Sequence, residues 1–228
     1  MGTPAGMKTS DVAALPFEWG AALRRRKLFH PNGILAEGRL ERLAAPGVGL
    51  PVETGDVVAR LSKGIGLPGS LPDIGGLAWR MSSGAGDAFS WDLLLASTAR
   101  GPLGRVLLRP LTSWSDAVFS TVMPLSYQGQ AWWLRARIVT PVDGGGLSLD
   151  VVARLVAEEG LDLEVEQAAG TGDFQKLARL RLQRVAAPGD VSFDPVLHEA
   201  PGVRLMPSWL ASFRRAAYRR SRHGRHAE

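Results

Sequence analysis

Apolar and polar residues alternate along much of this chain, and the alternation predicts strands. Residues 33–43, GILAEGRLERL, alternate well enough to predict a strand. DVVARLS at 56–62 follows a turn signal and opens with β-branched residues, a pattern suited to a pleated, half-buried surface. LAWRM at 77–81 and WDLLLAS at 91–97 are two shorter strands. SYQGQAWWLRARIVT at 126–140 reads as a hairpin turning at Gln128-Gly129-Gln130. LDLEVEQAA at 161–169 alternates cleanly. LARLRLQRV at 177–185 also predicts a strand, although Leu177, Leu180, Leu182 and Val185 do not share one period.

Helical spacing is rarer. SLDVVARLVAEEG at 148–160 places Leu149, Val152, Leu155 and Val156 on one face. A short helix is expected within 11–27, broken at Pro16. Another is expected from Ser208, which follows Pro207 and can cap the good helix formers after it. Residues 45–55 and 63–76 are rich in Gly and Pro and predict ordered loops. Residues 101–123 are mixed, and 190–207, with three prolines, should be irregular. The sum is a β-rich α+β chain that ends in a helix. Residues 1–16 look like a loose lead, and 17–228 like a single domain.

Composition narrows the classes. At 45% hydrophobic and 21% charged residues, wholesale disorder is excluded. No apolar run approaches the roughly 18 residues of a membrane span. The N-terminus lacks a charged start followed by an apolar block, so a cytoplasmic protein is expected. There is no cysteine, which excludes disulfides, thiolate catalysis and thiolate-held iron. The net charge of +5 is concentrated at the end: residues 204–228 hold seven arginines and one acid, Glu228. A local excess of this kind needs a local explanation, and no nucleic-acid or membrane partner is expected.

The excess surrounds one of only two tyrosines, in FRRAAYRRSR at 213–222. Helical spacing puts Arg214, Tyr218 and Arg222 on one face. One explanation is a solvated basic helix. The other is that the arginines keep Tyr218 as a phenolate. A free tyrosine has a pKa of about 10, so holding the phenolate at neutral pH costs roughly 4 kcal/mol. A guanidinium and a bound metal can supply that together. Haem iron is the obvious user of such a ligand.

Four stretches in order, KLFHPNG at 27–33, VVARLS at 57–62, WDLLLAST at 91–98 and RRAAY at 214–218, resemble the haem-dependent catalase superfamily. FDPVLHEAPGVR at 193–204 is similar to its short single-domain members, and the resemblance covers about residues 20–225. It implies an antiparallel β-barrel core with a few helices and a C-terminal helix closing a haem b site. His30 would be the distal base, with Lys27 three positions before it and Gly33 after it. Arg60 would meet a haem propionate and Ser62 would brace the histidine. Trp91, Asp92, Leu93 and Thr98 match a third signature, Trp91 and Asp92 having structural roles. Tyr218 would be the iron's proximal ligand, supported by Arg214, with Arg222 also facing the cofactor. Arg60 could instead pair with a protein carboxylate, Lys27 could be solvated, and His30 could be a surface loop histidine.

The chain departs from the family at the distal asparagine, whose place is taken by Ala96. Ser97 is adjacent, but on a strand it points to the other side. Fast dismutation of hydrogen peroxide is thereby disfavoured, and the Leu95/Ala96 wall suits an organic substrate. Peroxide-dependent oxidation of a small molecule, by a peroxidase or weak catalase, is the expected activity. A haem-dependent rearrangement or dehydration like that of allene oxide synthases is the alternative enzyme class. A non-enzymatic haem-binding protein is a further one, and homo-oligomer formation stays open.

Overall fold

The computed structural model describes residues 33–206, apart from 69, 83–89, 102–103, 116, 145 and 188–190. The expected N-terminal helix and lead, the C-terminal helix, and Lys27, His30, Arg214, Tyr218 and Arg222 therefore lie outside the described residues.

Alternation produces a long antiparallel sheet. The strands are β1 (Gly33–Arg42), β2 (Gly55–Lys63), β3 (Gly75–Ser82), β4 (Ser90–Ser97), β5 (Val118–Ser120), β6 (Leu125–Tyr127), β7 (Gln130–Ile138), β8 (Leu161–Ala169), β9 (Gln175–Val185) and β10 (Arg204–Leu205). Their order is β10-β6-β7-β5-β4-β3-β2-β1-β9-β8, and β8 pairs again with β7. That second pairing closes β1–β5 and β7–β9 into an eight-stranded antiparallel barrel, leaving β6 and β10 as an extension. Closure removes the exposed edges that an open sheet of this size would carry. Among the described residues, α1 (Leu149–Glu158) is the one α-helix, and no helix is long and apolar enough to cross a membrane.

One face of each strand fills the barrel. Val57, Ala59 and Leu61 of β2, Leu77 and Trp79 of β3, and Trp91, Leu93 and Leu95 of β4 are buried together with Leu134, Ala136 and Ile138 of β7. From β8, Leu161, Leu163 and Val165 join them. Helix α1 packs on β9, β1 and β8 and buries Val152 and Val156, as its spacing predicts. Leu149 and Leu155 are partly buried against the same core. The helix stops where Gly160 adopts φ 87° and donates its N–H to Leu155 O at 2.9 Å.

The mismatched period of β9 has a structural cause. Against β8, Val165 pairs with Ala178 but Glu166 pairs with Lys176, so Leu177 is an extra residue. Against β1, Glu37 pairs with Arg184 but Gly38 pairs with Leu182, so Gln183 is another. Each bulge turns the side-chain sequence over by one residue. Leu177 and Ala178 are both buried as a result, while Val185 is exposed at the end of the strand. Gly38 is what the second bulge requires on the facing strand, because a Cβ there would sit 2.1 Å from Arg181 O.

The hairpin of β6 and β7 turns on Gln128 (φ 50°) and Gly129 (φ 75°), with Gln130 already in β7. Two positive-φ residues are the turn that matches strand twist. The mixed stretch after β4 holds a single 3-10 turn at Gly104–Val106, isolated bridges from Thr98 to Leu108 and from Asp73 to Leu111, and then β5. Arg105 in that turn is buried between Phe174 and Trp133, its guanidinium 5.1 and 5.5 Å from their ring centres.

Candidate functional site

With Val57, Ala59 and Leu61 turned inward, Val58, Arg60 and Ser62 face the outside of β2. The register carries that face across the neighbouring strands. Gly33, Ser62, Gly76, Ala96 and Ser120 are successive Cα partners from β1 to β5. One step along the strands the row reads Leu35, Arg60, Ala78, Leu94. One step further it reads Glu37, Val58, Arg80, Asp92.

The first row is made of residues with almost no side chain. Ser62 is buried, and its Oγ lies 3.5 Å from Gly76 O, at the long limit for a hydrogen bond. Its hydroxyl keeps most of its capacity for another partner. Arg60 is half-buried. A Cβ on Gly33 would stand 2.7 Å from Arg60 Nε and 2.9 Å from Leu61 O, so a glycine at the start of β1 makes room for that guanidinium. The row also brings Ala96 opposite Gly76, on the same face as Ser62. Ser97 points the other way, as strand geometry predicts. Its Oγ donates to Arg109 O at 2.6 Å and accepts from Gly75 N at 3.0 Å.

The third row holds a site that sequence reasoning missed. Asp92 is fully buried. Arg80 donates to it through both arms of its fork, Nε to Oδ1 at 2.6 Å and Nη2 to Oδ2 at 2.7 Å. The Asp194 backbone N–H donates to Oδ2 at 2.7 Å, and His198 Nδ1 lies 2.8 Å from the same oxygen. The same Nδ1 lies 3.0 Å from Arg80 Nη2, so this ring nitrogen is held between the carboxylate and the guanidinium. The hydrogen bond with Asp92 holds the Arg80 guanidinium above its ordinary pKa, against the lowering effect of burial. A raised cationic pKa gives stability that is complete below the unfolded value and is lost only as strongly alkaline pH passes the folded one. Arg80 is therefore charged throughout the physiological range. Trp91 is buried in the barrel core beside this cluster.

A small cavity lies next to the cluster, lined by Leu94, Thr121, Leu125, Pro195, Val203 and Leu205 among others. Thr121 Oγ1 is buried there and has no hydrogen-bond partner among the described residues.

No family model matches the sequence, and no curated protein is recognisably similar to it. Solved structures are similar in fold. Catalase A from Saccharomyces cerevisiae aligns with a TM-score of 0.56 at 8% identity, over 94% of this chain and 64% of that one. A fungal catalase aligns with a TM-score of 0.59 at 10% identity, over 94% and 62%. A bacterial catalase aligns with a TM-score of 0.52 at 12% identity, over 92% and 59%. The fold is catalase-like. This chain spans about three fifths of the length of those catalases. At such identities the likeness concerns the barrel and its topology. Of the residues expected in the site, Arg60 and Ser62 fall together on one outer face of the catalase-like barrel, with Ala96 in the same row two strands from Ser62.

Proposed function

We propose that residues 17–228 form one haem domain that binds haem b and uses peroxide to oxidise a small organic molecule. The observation that carries this reading is the flat row Gly33, Ser62, Gly76 and Ala96 on a catalase-like barrel, with Arg60 and Ala78 in the next row. A floor of such small residues suits a planar macrocycle. Arg60 suits a propionate, because a guanidinium presents a fork of donors that matches a carboxylate. The steric limit at Gly33 fits the same purpose, since a side chain there would displace Arg60. His30 is three residues before Gly33, a reach of at most about 11 Å, which keeps it within range of the Ser62 row.

Haem would supply a redox-active iron, with Tyr218 as its protein ligand. The chain's own residues do the rest. Arg214 holds Tyr218 as the phenolate, while Lys27 and Arg222 add positive charge for the propionates. His30 takes the proton from one peroxide oxygen and returns it to the other. The Ser62 hydroxyl orients that imidazole. Ala96 makes no hydrogen bond to a second peroxide, which favours an organic reductant over dismutation. The same apolar wall, with Leu94 in the next row, supports a second reading: haem-dependent rearrangement or dehydration of an oxygenated organic substrate.

Titrating hemin into the purified protein tests the reading. Wild type should give a saturable high-spin ferric spectrum, and Tyr218→Phe should lose it. Absence of saturable binding, or a spectrum indifferent to the substitution, would remove Tyr218 as ligand and leave a basic helix. With hemin bound, His30→Ala should abolish turnover of peroxide or of an organic hydroperoxide, whichever the protein consumes. Unchanged rates would reduce the protein to a haem carrier.

A further inference from the structure

We propose that Arg80, Asp92 and His198 are positioning residues. They latch residues 191–206 to the barrel and so set where the chain departs toward Tyr218. The idea rests on the haem reading only in its last step.

The latch is dense for a segment with so little regular structure. Arg80 Nη2 donates to Ser192 O at 2.8 Å, and its guanidinium lies 5.6 Å from the ring centre of Phe193. Asp92 Oδ2 accepts the Asp194 N–H and lies 2.8 Å from His198 Nδ1, and the Asp92 backbone N–H donates to His198 O at 3.0 Å. Asp194 then ties the turn to itself: its Oδ1 accepts from Val196 N at 3.0 Å and Leu197 N at 3.2 Å. Beyond the turn, Arg204–Leu205 pairs with β6, and Met206 N donates to Pro124 O at 2.9 Å. The small cavity beside Thr121 is lined by Pro195, Val203 and Leu205 of this path. The segment is thus held by the buried carboxylate at one end, by the short β10 pairing at the other, and by Ala200, Val203 and Leu205 buried in the core between and beside them. A fully buried carboxylate that gathers donors from β3 and from the segment fixes their relative position, since moving the segment would strip hydrogen bonds from a buried charge.

Hydrogen exchange on the full-length protein tests the latch directly. In Asp92→Asn, amides of 191–206 should exchange at least about tenfold faster, while amides of β1 and β2 keep their wild-type protection. Unchanged exchange in 191–206 would overturn the proposal. So would equal acceleration across β1 and β2, which would make Asp92 a general stabiliser. Should Asp92→Asn not fold, Arg80→Lys and His198→Gln carry the same test. The second readout is the ferric hemin spectrum. A loosened latch should weaken hemin binding about tenfold and change the phenolate-ligated absorption, with Arg80→Lys intermediate between wild type and Arg80→Ala. Loosened exchange with an unaltered spectrum and affinity would overturn the positioning of Tyr218. If wild type binds no hemin, the haem reading falls, and the exchange result alone decides the latch.

Discussion

The barrel wears two different outer faces over one apolar interior. Outside β7, β8 and β9, Arg135 pairs with Glu166, Arg137 with Glu164 and Glu166, Lys176 with Glu164, and Arg181 with Asp162. Outside β1 to β4, the matching rows hold Gly33, Ser62, Gly76, Ala78, Leu94 and Ala96. Charge in and beside those rows is Arg60 and the Arg80–Asp92 pair, whose carboxylate is fully buried, while the Glu37–Arg184 and Arg39–Asp56 pairs lie farther along β1 and β2. Strand periodicity treats both faces alike, since either can alternate with a buried interior. What differs is the intended neighbour. The ladder satisfies its charges within itself, down to the buried Glu166, whereas a row of glycine, alanine and serine is suited to something flat laid against it.

The Arg80–Asp92 pair offers the strongest test of that contrast. Asp92→Ala should destabilise the protein by about 3–5 kcal/mol in urea unfolding, because it leaves Arg80 without its buried partner. A cost below about 1 kcal/mol would place Asp92 with the solvent-facing pairs. An intermediate effect is expected on the other side of the flat row. Ala96→Asn restores an amide opposite Gly76 and should raise dismutation of hydrogen peroxide relative to organic oxidation by roughly tenfold, about one good hydrogen bond in the transition state. An unchanged ratio of the two rates would separate the row from the reacting oxygen. The smallest effect belongs to the charged ladder. Glu164→Ala removes the partner of Arg137 and Lys176 yet should cost only about 0.2–1 kcal/mol, a difference that shrinks in about 1 M salt.

Much of this was legible in the sequence, for physical reasons that also explain the gaps. β1, β2, β3, β4, β7, β8 and α1 announce themselves because each has one face buried and is long enough to show a period. β5 does not: Val118, Phe119 and Ser120 are all buried, so three residues carry no alternation to read. β9 shows a broken period because two bulges divide it. Arg60 and Ser62 could be placed on one strand face from their spacing alone. The cluster around Asp92 could not be assembled, since His198 is 106 residues away and no local pattern joins them. The available signal was modest: an arginine and an aspartate set opposite each other in the adjacent strands LAWRM and WDLLLAS, and a lone histidine in FDPVLHEA. The expected distal base, His30, and the expected iron ligand, Tyr218, lie outside the described residues.

Barrel closure also has a consequence in time. Glu37 of β1 meets Arg184 of β9, 147 residues later in the chain. A ribosome adding about 5–20 residues per second would finish β1 many seconds before its final neighbour exists. Throughout that interval one side of β1 can meet β2 while the other has nothing to pair with. Glu37, Arg39, Glu41 and Arg42 place charges along that waiting strand, the kind of residue that discourages pairing with a stranger. The nascent chain thus carries its own guard against premature partners until β9 arrives to replace it.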